Sequence, residues 1–367
     1  MATAPVLMTT LEPLVAALRE DGYRVVGPTV RDGAIVLDEL ESADALPYGW
    51  GVDVEPGGYR LRRRADDAAF AHAASPRSWK SYLHPPHEPL WTASRDSRGG
   101  LAVHEPDEDP PRYAFLGVRA CDLRAIAVLD RVLGTPGGRY ARRRERVLIV
   151  AVNCTEPAAT CFCAATGSGP AVGAGFDLAL TELAGPDGVR YLAEAGSDPG
   201  AALLARLPGE PAGDAVVEAR SAVAAAAGRM GRGLPEGDLR DLLAGAPTSA
   251  RWDDVAARCL TCGNCTMVCP TCFCTTVDDS TDLTGGTARR DERWDSCFDI
   301  DFSYLHGGPV RASARSRYRQ WLSHKLGTWH DQFGESGCVG CGRCIVWCPA
   351  GIDITEEVNA LAEEAAR

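Results

Sequence analysis

The chain has 367 residues, of which 45% are hydrophobic and 24% are charged, and its formal net charge is −12. A chain of this length can hold two or three domains with a sizeable core, and the composition is typical of a soluble globular protein. The acidic balance argues against non-specific nucleic-acid binding. Residues 1–18 lack the basic start of a secretory signal, and the strongest apolar run, Val147–Val152, is too short to span a bilayer. We therefore expect a cytoplasmic protein with no membrane partner and no nucleic-acid partner.

The sequence lacks the common catalytic and nucleotide-binding motifs. Lys80 and Lys325 are the only lysines, and there is no P-loop because neither of them follows a glycine. The patterns G-x-G-x-x-G, H-E-x-x-H and G-x-S-x-G are also absent. We therefore predict no catalytic site, and no cofactor site other than metal centres.

Residues 1–110 are predicted to form an N-terminal α+β region. Residues 11–19 favour a short helix, and Tyr23–Val30 with Ala34–Leu37 favour a β-hairpin. Residues 75–112 are rich in Pro, His and Arg, and this composition predicts mostly loop.

Residues 111–250 are predicted to form an α/β region. Tyr113–Val118 and Val147–Val152 favour strands, with a helix between them that Asp122 would cap. This order predicts parallel strands, and a cysteine that follows each strand would then lie at the same edge of the sheet, where ligands usually bind. A hairpin is predicted further along, with its turn at Pro186-Asp187-Gly188.

Eight of the fifteen cysteines form two copies of the pattern C-x2-C-x2-C-x3-C-P. The copies are Cys259, Cys262, Cys265, Cys269, Pro270 and Cys338, Cys341, Cys344, Cys348, Pro349. This spacing lets one loop place three thiolates around a [4Fe–4S] cluster, while the fourth thiolate ligates the neighbouring cluster. We therefore predict two such clusters. The predicted ligands are Cys259, Cys262, Cys265 and Cys348 for the first cluster, and Cys338, Cys341, Cys344 and Cys269 for the second.

Zinc is the alternative metal for these thiols, in a scaffold that mediates protein interactions without redox chemistry. Zinc sites typically combine two C-x2-C pairs across a linker, whereas each motif here already has four cysteines at ferredoxin spacing. Residues 270–337 separate the motifs and contain a predicted helix, Arg311–Trp329. We therefore predict that residues 251–367 form a mainly helical, ferredoxin-like dicluster domain. The predicted fold class is α+β, with an N-terminal α/β region followed by this domain.

Four further cysteines could hold a third [4Fe–4S] cluster. They are Cys121, Cys154, Cys161 and Cys163. Their spacing is irregular, and buried, unreactive thiols are the alternative. The loop around Cys161 and Cys163 is rich in Gly, Thr and Pro rather than apolar, and this favours the cluster. No role is assigned to Cys272, Cys274 and Cys297.

Several segments resemble one known family. They are Gly117–Ile126, Val152–Pro157, Thr160–Cys163, Gly175–Leu183 and the two cysteine motifs. Together they are similar to the β subunit of cytoplasmic NAD(P)-linked [NiFe]-hydrogenases, also called sulfhydrogenases. They are also similar to the A subunit of anaerobic sulfite reductase. The resemblance covers roughly residues 110–360 and is most specific in the cysteine segments.

The resemblance implies an iron–sulfur electron-transfer subunit within an oxidoreductase complex. In the hydrogenase family, such a subunit relays electrons between a flavin/NAD(P)-binding subunit and the small and large [NiFe]-hydrogenase subunits. The implied chain has no catalytic residues, because the reactions take place on cofactors of other subunits. Electron transfer within an anaerobic sulfite reductase is the alternative that the resemblance leaves open.

Overall fold

The computed structural model describes residues 4–96, 98–106, 109–186 and 188–367. Asp187, in the predicted hairpin turn, lies outside the described residues. The strands are β1 (Val6–Met8), β2 (Arg24–Arg31), β3 (Ala34–Glu39), β4 (Trp50–Glu55), β5 (Gly58–Arg63), β6 (His87–Arg95), β7 (Leu101–His104), β8 (Tyr113–Arg119), β9 (Val147–Val152), β10 (Leu178–Gly185), β11 (Gly188–Ala195), β12 (Glu210–Pro211), β13 (Thr275–Thr281), β14 (Thr287–Trp294), β15 (Tyr304–Leu305) and β16 (Gly308–Pro309).

The helices are α1 (Glu12–Glu20), α2 (Lys80–Leu83), α3 (Ala120–Leu133), α4 (Arg139–Arg144), α5 (Asp198–Leu204), α6 (Ala215–Ala227), α7 (Leu239–Gly245), α8 (Arg251–Arg258), α9 (Asn264–Met267), α10 (Ala314–Ser323), α11 (Trp329–Phe333), α12 (Arg343–Val346) and α13 (Ile354–Ala365). A 3-10 turn covers Ala43–Ala45, and a π-helical segment, His324–Thr328, joins α10 to α11. Within the described parts of the chain, no helix combines the length and the apolar character needed to cross a membrane.

The largest sheet has eight strands in the order β12-β1-β11-β10-β9-β8-β2-β3. Four consecutive strands of this sheet, β10, β9, β8 and β2, are parallel to one another. The predicted strand–helix–strand unit is thus confirmed as β8–α3–β9. Arg119 at the end of β8 pairs with Val152 at the end of β9, so the segments that follow both strands leave the sheet at the same edge.

Both faces of this sheet are covered, which explains the continuous apolar sequence of β9. Leu148, Val150 and Val152 pack into the core cluster that contains α1. The alternate residues of β9 pack into a second cluster with Ile126 and Leu129 of α3. Side chains of a strand point alternately to its two faces, so a strand that is buried on both sides has no polar positions.

A four-stranded antiparallel sheet has the order β13-β14-β6-β7. Its strands β6 and β7 and the short helix α2 lie within residues 75–112, so the prediction of mostly loop for this segment missed these three elements. The partner of β6 is β14, which lies between the two cysteine motifs and almost two hundred positions further along the chain. Most of β6 is exposed or half-buried, and therefore no apolar alternation marked it as a strand.

The C-terminal part is largely helical and packs around a core that Phe162 and Leu243 of the preceding region join. Tyr318, Leu322, Leu326 and Trp329 are all at most 2% exposed, which confirms the predicted helix and its buried face. Its core also includes Trp252 of α8. The fold class is α+β, as predicted, although the β13–β14 hairpin adds strands to this part. The domain boundaries 1–110, 111–250 and 251–367 remain a prediction.

Candidate metal centres

The first thiol set lines one cavity in the C-terminal part of the protein. Its members are Cys259, Cys262, Cys265 and Cys348. The first two lie on the loop that joins α8 to α9, Cys265 lies in α9, and Cys348 follows α12. Apolar side chains, including Phe298 and Trp321, line the rest of the cavity. The two motifs, which are far apart in sequence, therefore contribute to one site.

The two motif loops share one backbone turn. Gly263 and Gly342 each follow the second cysteine of their motif, and both have φ of +72°. Each is the N-cap residue of a short helix, α9 or α12. A side chain in this left-handed conformation would be strained. A Cβ atom on Gly342 would also lie 2.4 Å from the Thr160 carbonyl oxygen. The repeated glycine therefore lets both loops curl around their cavities.

The second thiol set brings Cys269 together with the second motif. Its members are Cys338, Cys341, Cys344 and Cys269. Burial raises the pKa of Cys338 to about 12, and the nearby thiols of Cys341 and Cys269 contribute to the rise. Burial also raises the pKa of Cys344, with Cys338, Cys341 and Cys269 adding to it. The four thiols are thus near enough to act on one another. This is the arrangement expected if the fourth cysteine of the first motif joins the second set.

The third thiol set lies at the carboxyl edge of the parallel strands. Cys121, Cys154, Cys161 and Cys163 line a single cavity. Burial is the main reason why the pKa values of Cys161 and Cys163 rise to about 12. The four cysteines are irregularly spaced in the sequence, but the fold brings them together. The strands β8 and β9 end side by side, and the loop after β9 carries Cys161 and Cys163.

The second and third sets meet at a tight backbone contact. The amide of Phe162 donates a hydrogen bond to the carbonyl oxygen of Gly340 over 2.9 Å. Gly340 has φ of +60°, and a Cβ atom there would lie 2.6 Å from the Cys163 backbone. Gly340 and Cys341 also line the third cavity. Cys344 in turn lines the first cavity. The three sets therefore follow one another in the order first, second, third.

A buried ion pair ties the sheet edge to the second motif. Arg343, which lies between Cys341 and Cys344 in the sequence, places Nη1 2.9 Å from Oδ1 of Asp122. Asp122 is 3% exposed and Arg343 is 6% exposed. The prediction that Asp122 caps α3 is wrong, because the helix begins at Ala120 with Arg119 as its N-cap residue. Asp122 instead faces inward as the counter-charge of Arg343.

The arrangement of the thiols bears on the kind of metal centre that they could hold. In the described residues, no group of three or more His, Cys, Asp or Glu side chains is arranged to hold one metal ion. The thiols instead line the walls of cavities. Cysteine binds metal as the thiolate, so the positive charge of a bound metal core would offset the cost of burying the thiolates of each set. The arrangement therefore fits the iron–sulfur clusters that the cysteine spacing predicts.

The three cysteines without a predicted role lie close to the first and second sets. Cys272 is within hydrogen-bonding reach of Cys269. Cys297 lies near Cys265 and Cys274, and this proximity helps to raise the pKa of Cys265 and of Cys297 itself beyond the effect of burial. Sequence reasoning also missed Lys80 and Lys325, which are buried beside this segment. Their rarity in the sequence was the available signal.

Comparisons with known proteins agree with this geometry. A family model described as a 4Fe-4S dicluster domain matches residues 258–352, which include both cysteine motifs. Sulfhydrogenase 2 subunit beta of Pyrococcus furiosus is 30% identical over 357 residues, covering 94% of this chain and 94% of the relative. No solved structure is significantly similar to the chain. The dicluster domain makes this an iron–sulfur protein of the electron-transfer type, and the near-complete match to the relative means that the chain belongs to the family of sulfhydrogenase β subunits.

Proposed function

We propose that the chain is the electron-relay subunit of an NAD(P)-linked [NiFe]-hydrogenase. In this role it connects a flavin/NAD(P)-binding subunit with the small and large hydrogenase subunits, and it has no catalytic site of its own. The observation that carries the proposal is the serial contact of the three thiol sets, through Cys344 at one junction and through Gly340 and Cys341 at the other. Neighbouring sites that follow one another in this way are what a relay requires.

The proposed ligands are the three sets themselves, one [4Fe–4S] cluster to each. The first is Cys259, Cys262, Cys265 and Cys348, the second is Cys338, Cys341, Cys344 and Cys269, and the third is Cys121, Cys154, Cys161 and Cys163. When bound, such clusters carry single electrons at potentials set by their surroundings.

The protein's own contribution is position, burial and exclusion of water. Aromatic and aliphatic side chains such as Phe298, Trp321 and Ile354 line the first cavity. Phe162, 1% exposed, lies between two thiols of the third set in the sequence. Dry, rigid walls keep the separations between centres constant, and they lower the local dielectric so that nearby charges act strongly on each centre.

The proposed partners would dock at the two ends of the line. Cys262 is exposed, so the first centre lies close to the protein surface. The third cavity lies at the carboxyl edge of the large sheet, where Cys154 is only partly buried. The relative's description as subunit beta of a sulfhydrogenase supports a place within a complex.

The Cys341→Ala variant tests the relay directly. Loss of one ligand of the middle centre should cut hydrogen-driven NAD(P) reduction by at least about tenfold, which corresponds to about 1.4 kcal/mol in the barrier. Hydrogen oxidation with an artificial dye that accepts electrons at the nickel-containing subunits should be retained in large part. Equal loss of both activities would contradict a relay position, and siroheme in place of nickel in the purified complex would contradict the hydrogenase assignment.

A further inference from the structure

The chain's two lysines are both buried, unlike most of its arginines. Lys80 is 3% exposed and Lys325 is 4% exposed. Lysine is almost never fully buried unless its charge is compensated. Lys80 and Lys325 are the only lysines in the sequence, so every ammonium side chain of this protein lies in its interior. Such burial needs a negative partner, or else it makes the ammonium lose its proton more readily, and burial indeed lowers the pKa of Lys80 to about 8.

Both lysines reach the segment that follows Cys269. Lys325 Nζ donates a hydrogen bond to the Thr271 hydroxyl over 2.7 Å, and that hydroxyl lies 3.2 Å from Cys269 Sγ. Lys80 Nζ donates to the carbonyl oxygen of Cys272 over 2.9 Å and lies 3.6 Å from the centre of the Trp294 ring. The two ammonium groups thus approach one side of the second thiol set.

Lys325 also touches the loop of the second motif. Its Nζ lies 3.4 Å from the carbonyl oxygen of Gly337, the residue before Cys338. Lys325 belongs to the π-helical segment, and such segments are frequent at functional sites. It therefore bridges the two chain segments that supply the second set.

Among the described residues, neither lysine forms an ion pair with a carboxylate. The carboxylates there pair with arginine or histidine instead. Burial lowers the pKa of Lys325, but neighbouring thiols raise it by more. These thiols include Cys269, Cys272 and Cys338. A buried ammonium ion without a carboxylate is costly. The negative partner that this geometry offers is the thiolate-ligated centre itself.

We propose that Lys325, with Lys80 as a weaker second group, is a positioning residue whose buried positive charge raises the reduction potential of the second centre. The inference rests on the proposed function for the presence of that centre. Reduction there adds one electron, taken from a reduced neighbouring iron–sulfur centre that is oxidised by one, and no bond forms or breaks. A fixed cation nearby stabilises the added negative charge, and the dry interior screens it little. Lys80 acts less because it contacts a carbonyl rather than the hydroxyl beside the ligand sulfur.

The test is a redox titration followed by EPR on the full chain, purified without oxygen together with the subunits that accompany it. In Lys325→Met, the reduction equilibrium of one cluster should shift at least about tenfold toward the oxidised form, which is about 59 mV for a one-electron couple. Lys80→Met should shift the same cluster in the same direction by less. Lys325→Arg retains the charge and should restore most of the midpoint. Arg190→Met removes a partly exposed cation on β11 and serves as the matched control, with no shift expected.

Unchanged midpoints in an iron-replete Lys325→Met protein would overturn the inference. If that variant loses iron, Lys80→Met decides, since an unchanged midpoint there overturns the proposal for the pair. The relay itself is tested separately by the Cys341→Ala activities. A relay that fails that test could still show the shifted midpoint, so the two failures are distinguishable.

Discussion

The motif loops and the sheet edge build similar thiol sites by different means. In the loops, three cysteines of each set lie within one short turn around a left-handed glycine, Gly263 or Gly342. At the sheet edge, Cys121 comes from the start of α3, directly after β8, whereas Cys154, Cys161 and Cys163 come from the loop after β9. In the loops, the short sequence spacing of the cysteines by itself places their thiols together. At the sheet edge, the thiols come together only once the strands have paired correctly. A site of the second kind is hard to recognise from spacing alone.

Replacing Cys161 tests whether the thiols at the sheet edge hold a cluster as those of the motif loops are proposed to do. We expect Cys161→Ala to lose about four iron atoms per chain, because a [4Fe–4S] cluster depends on its four ligands. Cys272→Ala is the matched control, since it removes a thiol outside the three sets and should retain the full iron content. Iron and sulfide analysis of both purified variants provides the measurement. Unchanged iron in Cys161→Ala would mean that the edge thiols are only structural.

The next effect concerns the ion pair that joins the two regions. Asp122→Ala leaves the Arg343 charge buried without its partner, and this should lower the free energy of unfolding by about 3–5 kcal/mol. Denaturant unfolding without oxygen, followed by circular dichroism, measures it. The surface pair of Arg190 and Glu218 offers a control, because Glu218→Ala should cost only about 0–1 kcal/mol. If both variants lost a similar free energy of unfolding, the buried ion pair would not stabilise the contact between the two regions.

The smallest expected effect lies at the contact between Gly340 and Cys163. Gly340→Ala should destabilise the protein by about 1–3 kcal/mol, through backbone strain and a clash with the Cys163 backbone. Gly334→Ala separates these causes, because Gly334 has a similar φ of +70° and a Cβ atom there would meet nothing within 4 Å. We expect Gly340→Ala to lose more stability than Gly334→Ala, and to lower iron occupancy at the third set. Equal stability and iron content in both would contradict a tight junction.

Part of this arrangement could be predicted from the sequence. The two cysteine motifs and the β8–α3–β9 unit follow from local spacing and from the continuous apolar run of β9. The placement of Cys121 and Cys154 near each other follows from the rule that parallel strands end at one edge. These features depend on neighbours in sequence or on simple topology.

The rest depends on contacts between distant segments. The pairing of β6 with β14 gives no apolar alternation, and Asp122 looks like a helix cap until the second motif brings Arg343 to it. The burial of Lys80 and Lys325 cannot be read from composition, because their partners lie on other elements. Tertiary contacts thus override local preferences at the very positions that surround the centres.

The most direct measurement is the iron and acid-labile sulfide content of the full chain purified without oxygen. Three [4Fe–4S] clusters predict about twelve iron atoms and about twelve sulfides per chain. About eight of each would mean that clusters are present only in the motif loops and that the thiols at the sheet edge hold none. Zinc without sulfide would contradict the relay altogether.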